Sequence, residues 1–532
     1  MTSLMLLTES TVSEYLTNLI HSNTCPSLNQ LFPSTAATTT RPLSSSAHDT
    51  LTLNDKSNVG LTKTTYSSHD QEDTLHHGTT STTASTTTNN IIHPKDFQVS
   101  KLHGGNMNYS YLVVHTKTNI HLFVKQAPNY VAVLGPNILP LSNQRMDYEY
   151  QAYTEWTSLF NKDSSFSSSP SSSKYVPIMY HFDSEYKIII LEFLQQYTLL
   201  DTLLRQSVDT TTSTSSYPNK KKNHHHSMIR IAQSLGTCMG IIHSTTHSSR
   251  LSSDRIQYYK ETFQNRCMRN IQLKYVFTKC YQDDESTANS MGHEFLKDIE
   301  ELKTLYRGDD DDDDTTTTRT NNLVLCHGDL HPGSVMIEYP TVDMDDTTSS
   351  TNIQVKIIDP EFAIYGPPGL DVGCLISGYI LAAIFHMFSN PNDTSKGHHI
   401  QLDDNNDDDN KLFIGITSHP SKSGHIMILI QCIQTIWTTY RDRMIQGGIF
   451  QQEILHSIEI DTVGFALAEV CRTVLGYAGE RSTWFLSFSN EIEIQNQAKK
   501  CSLEIAQRSM QQRHTIGLEC IIQELNALVV VL

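Results

Sequence analysis

The stretch Leu323 to Ile337, LVLCHGDLHPGSVMI, decides the reading of this chain, and Ile353 to Gly366, IQVKIIDPEFAIYG, answers it. Each is an apolar, strand-like run that ends in a polar, acidic loop: Asp329 in the first, Asp359 and Glu361 in the second. Asp329 follows a glycine that permits an unusual backbone turn, and its loop runs straight into a second strand. A carboxylate placed there can orient a hydroxyl and accept its proton as the oxygen attacks phosphorus. Asp359, at a strand end, can hold Mg²⁺ against nucleotide phosphates. Glu361 can take a second ligand or water position, since oxygen-only ligation suits that ion. One Asp-Pro in a loop reads equally as a cap or turn; two such loops about thirty residues apart predict a small-molecule kinase.

Working outward, the pattern upstream is β. FQVSKL from Phe97 leads to HGGNMN (His103 to Asn108), then to YSYLVVHT and IHLFVKQA (Ile120 to Ala127). Ile120, Leu122 and Val124 share one face of the last strand, and His121, Phe123 and Lys125 the other. A Gly-rich turn followed by a strand lysine can lay backbone N–H groups and one cation on polyphosphate, although Gly104-Gly105 alone also suits a plain hairpin. Gln144 to Phe160 has a helical stripe of Tyr148, Ala152, Trp156 and Leu159. Glu149 beside it is either a partner for Lys125 or a solvated helix residue. Val176 to Leu194 reads as a hairpin turning at Asp183 to Glu185, and its exit, Glu192-Phe193-Leu194, is where a kinase-like chain passes between lobes. Helices are expected at Thr8 to Ile20, Met228 to Ile242, Tyr258 to Tyr281, Leu375 to Phe388, Met427 to Met444 and Glu491 to Val531, with Trp437 and Tyr440 in the core.

Much of the chain is low-complexity: Ser34 to Thr88, Ser164 to Ser173, Thr210 to Ser216, the run Asp309 to Asp314, and Asp403 to Asp409. Such tracts bury too little apolar surface to offset chain entropy, so disorder is expected there and about 400 residues remain for one bilobal body. The net charge of -18, from 39 basic and 57 acidic residues, argues against a general nucleic-acid or lipid-surface binder. Ten cysteines stand singly with no C-x-x-C pair, which suits a reducing compartment without a zinc site or disulfide framework. His224 to His226, after Lys220 to Lys222, reads as loop decoration. No apolar run reaches the length of a membrane span; Leu375 to Phe388 is a core helix instead. The opening MTSLMLLTESTVSEYL lacks a basic region and carries Glu9 and Glu14, so a cytoplasmic location without a targeting peptide is expected.

HGDLHPGS together with IDPEFAIYGPPGLDVG resembles the aminoglycoside/choline-kinase branch of the protein-kinase-like fold, and within it the S-methyl-5-thioribose kinases. Ser334, where the antibiotic and choline kinases carry Asn, and the triplet Asp359-Pro360-Glu361 are habits of that group. LLTESTVSEYL, GGNMN, VKQAPNYV, Phe277-Thr278 and DTVGFALAEVCRTVLGYAG (Asp461 to Gly479) extend the likeness in order. It implies an α+β, bilobal fold. An antiparallel β-sheet lobe would span residues 1–194, with an insertion near 25–90. A larger, mostly helical lobe would span 195–532, with insertions near 206–226, 309–320 and 391–411.

The resemblance also implies roles. Gly105, Asn106, Asn108 and Lys125 would meet the ATP phosphates, and Glu192, Phe193 and Leu194 the adenine. Asp329 would bind and deprotonate the 1-hydroxyl of the thiosugar, and Asp359, Pro360 and Glu361 would line the nucleotide, the two acids holding Mg²⁺. Arg472 matches the first of two consecutive arginines and would face substrate. Thr473 has lost the second, for which Arg481 in the next turn is the candidate replacement, and Gly479 stands where a His is usual. A homodimer is implied too. The alternatives are a kinase of choline, homoserine or an aminoglycoside, and a pseudokinase scaffold.

Overall fold

The computed structural model describes residues 6–32, 91–103, 105, 107–162, 174–206, 219–282, 291–308, 322–338, 353–389, 420–485 and 492–531. The predicted Ser/Thr and Asp tracts, and Gly104 with Asn106, lie outside them.

The architecture is α+β, an antiparallel sheet lobe followed by a larger, mostly helical lobe. Helix α1 (Glu9–His21) begins at Thr8, which closes a capping box with Thr11. Helix α2 (Pro26–Leu31) follows. Five antiparallel strands come next: β1 (Phe97–Leu102), β2 (Tyr109–His115), β3 (Ile120–Gln126), and, after helix α3 (Arg145–Lys162), β4 (Met179–Asp183) and β5 (Ile188–Glu192). They align in the order β1-β2-β3-β5-β4. The two-residue period then divides the apolar residues. Leu122, Val124, Ile188 and Ile190 pack with Val12, Leu16, Leu28 and Phe32 in a small core under α1 and α2. Ile189 and Leu191 point the other way and join Met146, Tyr153 and Trp156 of α3 in the large core.

The start of the first expected insertion needs correcting. Residues 25–32 belong to the lobe: Cys25, Leu28 and Phe32 are buried, and the Phe32 ring sits edge-on to Phe97 at 6.0 Å. The apolar side chains of Leu28, Leu31 and Phe32 supply the burial that the following Ser/Thr tract lacks.

Past the linker, β6 (Tyr197–Leu199) and α4 (Leu200–Arg205) lead to α5 (Asn219–Thr246). That helix takes in His224 to His226, which therefore are not loop residues; His225 Nε2 lies 2.6 Å from Gln431 Oε1 on a neighbouring helix. The expected helix across Tyr258 to Tyr281 is three: α6 (Ser253–Thr262), α7 (Arg266–Tyr275) and α8 (Lys279–Gln282). Asn265 breaks it in a left-handed conformation, φ 40°, and its side-chain amide donates to the carbonyls of Glu361 (2.8 Å) and Ala363 (3.1 Å). The break thus grips the second acidic loop.

Helix α9 (His293–Arg307) precedes β7 (Val324–Cys326), β8 (Val335–Glu338), β9 (Gln354–Ile357) and β10 (Ile364–Gly366). Strands β6, β8 and β9 form one small sheet, and β7 pairs with β10 in another. Helices α10 (Gly369–Phe388), α11 (Pro420–Gln446), α12 (Gln452–Val474), α13 (Glu480–Phe485), α14 (Ile492–Ile516) and α15 (Glu519–Val531) complete the larger lobe. By length and composition α10 would pass for a membrane span, but 94% of its apolar window is buried inside the fold, as a core helix requires. Trp437 and Tyr440 are core residues as expected.

Candidate active site

Strand β7 delivers His327-Gly328-Asp329 to the cleft, and the backbone of that loop is gripped from three directions. The N–H groups of His327 and Gly328 donate to the carboxylate of Asp371, in the first turn of α10, at 2.7 and 2.9 Å. Gln272 Nε2 donates to the Gly328 carbonyl at 2.7 Å. His327 Nε2 meets the Ile358 carbonyl at 2.9 Å, and its ring stacks on Trp156. Gly328 has φ 87°, and a Cβ there would lie 2.0 Å from the Phe362 carbonyl oxygen. Only glycine lets the two acidic loops approach so closely.

Asp329 is therefore presented on fixed backbone. Arg481 Nη2 lies 3.5 Å from its Oδ1 and Arg472 Nη1 3.9 Å, while His331 Nε2 lies 3.8 Å from Oδ2. Burial raises the affinity of the carboxyl for a proton, but Arg481, His331 and Arg472 outweigh it and lower its pKa to about 2. Burial, reinforced by Arg481, holds His331 neutral by lowering its pKa to about 3. Its Nδ1 accepts from the Gly333 N–H at 2.9 Å, so the ring proton sits on Nε2, facing Asp329.

On the substrate side, Arg472 Nη1 donates to both oxygens of Glu469, at 2.9 and 3.1 Å. Thr473, which was expected to leave a cation missing, spends its hydroxyl on the Glu469 carbonyl one turn back, at 2.8 Å. A second guanidinium, that of Arg481, lies 3.5 Å from Asp329. Pro332, Gly378 and Leu381 line the adjoining cleft together with Arg481 and His331.

A second cluster is built around Lys125. Its Nζ donates to Glu149 Oε2 at 2.7 Å and to Asp359 Oδ1, so Glu149 is the lysine's partner rather than a solvated helix residue. Burial opposes the ammonium charge, but Asp359 and Glu149 hold its pKa well above the usual value. Asp359 has φ 65° and donates its backbone N–H to the Tyr153 hydroxyl at 3.0 Å. Its side chain is 46% exposed and reaches into the cleft, whereas Glu361 is buried. Glu361 Oε2 accepts from Asn108 Nδ2 at 2.7 Å and lies 3.5 Å from Arg145 Nε, which also donates to Asn108 Oδ1 at 3.0 Å. The amide of Asn108 thus faces inward, tying the Gly-rich turn of one lobe to the acidic loop of the other.

Gly105 has open space where a Cβ would stand, which suits close backbone approach to a phosphate. Pro360 is buried in a turn closed by the Ala363 N–H. In the linker, Glu192 Oε2 accepts from the Ile178 N–H, and the Phe193 ring stacks on His121 at 6.1 Å. The Leu194 carbonyl accepts from the Tyr197 N–H.

Oxygen atoms of Glu149, Asp359 and Glu361 lie within 4.8 Å of one another. Burial and mutual repulsion push Glu149 up to about 8 and raise Glu361 as well, because three carboxyls are crowded against two cations, Lys125 and Arg145. An all-oxygen set of this kind fits Mg²⁺, with Asp359 the residue that reaches the cleft. Besides Asn265, four polar contributors carry no signal of their partners in the sequence: Asp371, Gln272, Arg145 and Glu469. Each is a polar residue in an apolar or helical run whose periodicity gives a burial but not a partner. GLDVG, which does place an acid at the start of a helix, was the one available signal.

No protein-family model matches the chain. Among curated proteins, a methylthioribose kinase of Geobacillus sp. (strain WCH70) is 24% identical over 418 residues, 78% of this chain and 86% of that protein. One of Geobacillus thermodenitrificans (strain NG80-2) is 26% identical over 378 residues, 70% of this chain and 77% of its own length. A choline kinase from Cryptosporidium parvum superposes on 81% of this chain and 95% of its own, at 13% identity and a TM-score of 0.40, too loosely to argue from. Architecture, site and curated relatives together support a small-molecule kinase.

Proposed function

We propose that the protein transfers the γ-phosphoryl group of ATP to the 1-hydroxyl of S-methyl-5-thio-D-ribose, a step of methionine salvage, in the reducing cytoplasm. The observation that carries this reading is Asp329, an ionised carboxylate on fixed backbone, beside a cleft whose wall combines the Arg481 guanidinium and the Asp201 carboxylate with the apolar faces of Pro332 and Leu381. A neutral polyol with one apolar end suits such a wall. Choline and aminoglycosides are cations, and a quaternary ammonium is recognised by a cage of aromatic rings. Among the described residues lining this cleft, His331 is the only ring carrier besides Pro332. The curated relatives named methylthioribose kinase support the same choice. All ten cysteines are unpaired, in keeping with a reducing compartment.

In this reading Asp329 accepts a hydrogen bond from the acceptor hydroxyl and aligns its oxygen with the γ-phosphorus. With so low a pKa it takes the proton late, after the oxygen–phosphorus bond has begun to form, as a loose transition state allows. Lys125 and the Gly105 backbone would hold the phosphates, and Asp359 would hold Mg²⁺, with Glu361 buried behind it. That ion, when bound, neutralises charge on the bridging and terminal phosphate oxygens. ADP release measured with methylthioribose beside choline, homoserine, an aminoglycoside and plain ribose tests the reading. Turnover of methylthioribose well above the rest is expected; preference for another alcohol would replace the substrate.

A further inference from the structure

Two guanidiniums face Asp329, and they are not equally committed. Arg472, 12% exposed, donates to both Glu469 oxygens at 2.9 and 3.1 Å and to the Tyr477 carbonyl at 3.4 Å. It is fastened to its own helix and to the turn that follows. Arg481, 18% exposed, touches Asp329 at 3.5 Å and Glu469 at 3.7 Å, both at or beyond the outer edge of hydrogen bonding. It stands on the short α13 and lines the cleft beside His331, Gly378 and Thr473. A guanidinium carries five N–H donors in a planar fork that matches phosphate. Among the described residues, those of Arg481 are the ones loosely held at the cleft.

We propose that Arg481 is the catalytic cation that contacts the transferring phosphoryl group, and that Arg472 is a positioning residue that holds Glu469 and braces Asp329. The division of labour rests on the kinase reading above. As the alcohol oxygen bonds to the γ-phosphorus, the bond to the β–γ bridging oxygen breaks and the hydroxyl proton passes to Asp329. ADP leaves with the bridging oxygen. Protonation of Asp329 cancels its attraction for Arg481 at the moment negative charge is spread over the phosphoryl oxygens, so the fork is released toward them. Thr473 has no cation to give and spends its hydroxyl inside the helix, which makes this reach from α13 the source of the second charge.

The test compares wild type, Arg481→Ala and Arg481→Lys with whichever alcohol the wild type phosphorylates. In Arg481→Ala, kcat is expected to fall about 10³-fold while ATP affinity stays within about two-fold. Added guanidinium should restore part of the rate, and Arg481→Lys should recover little, since a point charge lacks the fork. A second readout needs no acceptor: trapping of MgADP with aluminium fluoride, a mimic of the transferring group, should weaken about 100-fold in Arg481→Ala. Failure to turn over methylthioribose would sink the substrate reading alone, because the trapping arm still reports on Arg481. A folded Arg481→Ala with kcat within about three-fold of wild type, or with undiminished fluoride trapping, would overturn the proposal. Should Arg481→Ala not fold, Arg481→Lys decides by the same two readouts.

Discussion

Asp371 accepts the backbone N–H of His327 at 2.7 Å, which joins the first turn of a buried core helix to the loop that carries the reactive acid. The same carboxylate takes the Gly328 N–H at 2.9 Å and lies 3.3 Å from His243 Nε2, whose Nδ1 is 3.1 Å from the Tyr440 hydroxyl. Asp371→Ala would leave two buried N–H groups and a buried imidazole without their partner. The expected loss is about 3 kcal/mol of stability, by urea unfolding, with kcat falling more than substrate affinity. A variant as stable as wild type would show that other contacts hold the loop.

The two acids of the second loop should separate in a metal titration. Asp359 reaches the cleft, whereas Glu361 is buried against Asn108 and Arg145. Asp359→Asn is expected to raise the Mg²⁺ concentration for half-maximal rate by about tenfold or more at unchanged folding stability. Glu361→Ala should chiefly cost stability, about 2–3 kcal/mol, because Arg145 loses its buried counter-charge. Equal metal dependence in both variants would make Glu361 a ligand on a par with Asp359.

Acid sensitivity follows from the lowered pKa of Asp329. A carboxyl depressed on folding adds stability that is complete above its ordinary value of 3.8 and is lost as pH falls through about 2. Arg481→Gln removes the largest of the attractions that depress it, so the variant should start less stable at neutral pH and lose less stability on acidification. Between about pH 5 and pH 3 the wild type is expected to lose up to about 1 kcal/mol more than the variant, read from urea unfolding at each pH. Parallel curves for variant and wild type would contradict the assigned coupling.

Residues Ser34 to Thr88 join two anchored ends, since Phe32 packs against Phe97 at 6.0 Å within the small core. Replacing that tract by a short Gly/Ser linker should leave kcat within about two-fold and Tm within about 3 °C, because loop-closure entropy varies slowly with length. Loss of folding would show that the tract does structural work.

Much of this was legible beforehand. The two-residue period placed Lys125 on its strand with Leu122 and Val124 on the opposite face, and the stripe in Gln144 to Phe160 placed Glu149 one helix away. That pairing formed because both residues carry local signals, one of strand and one of helix, whose geometry brings a long cation to a short acid. The glycine before Asp329 was equally informative, since φ 87° leaves little choice of residue. The break at Asn265 was not foreseen, because a left-handed asparagine between two apolar-periodic stretches has no period of its own.

By itself the sequence determined the order of most elements and which acidic loops face each other, both of which depend on local periodicity and on loop chemistry that neighbouring residues dictate. Only the tertiary structure decided how the charges are shared. Whether Arg472 or Arg481 is free to reach the cleft, and whether Glu361 faces the cleft or Arg145, depends on distances between residues remote in the chain. In a buried site a difference of about 1 Å separates a spent hydrogen bond from an available one, and no pattern along the chain encodes that ångström.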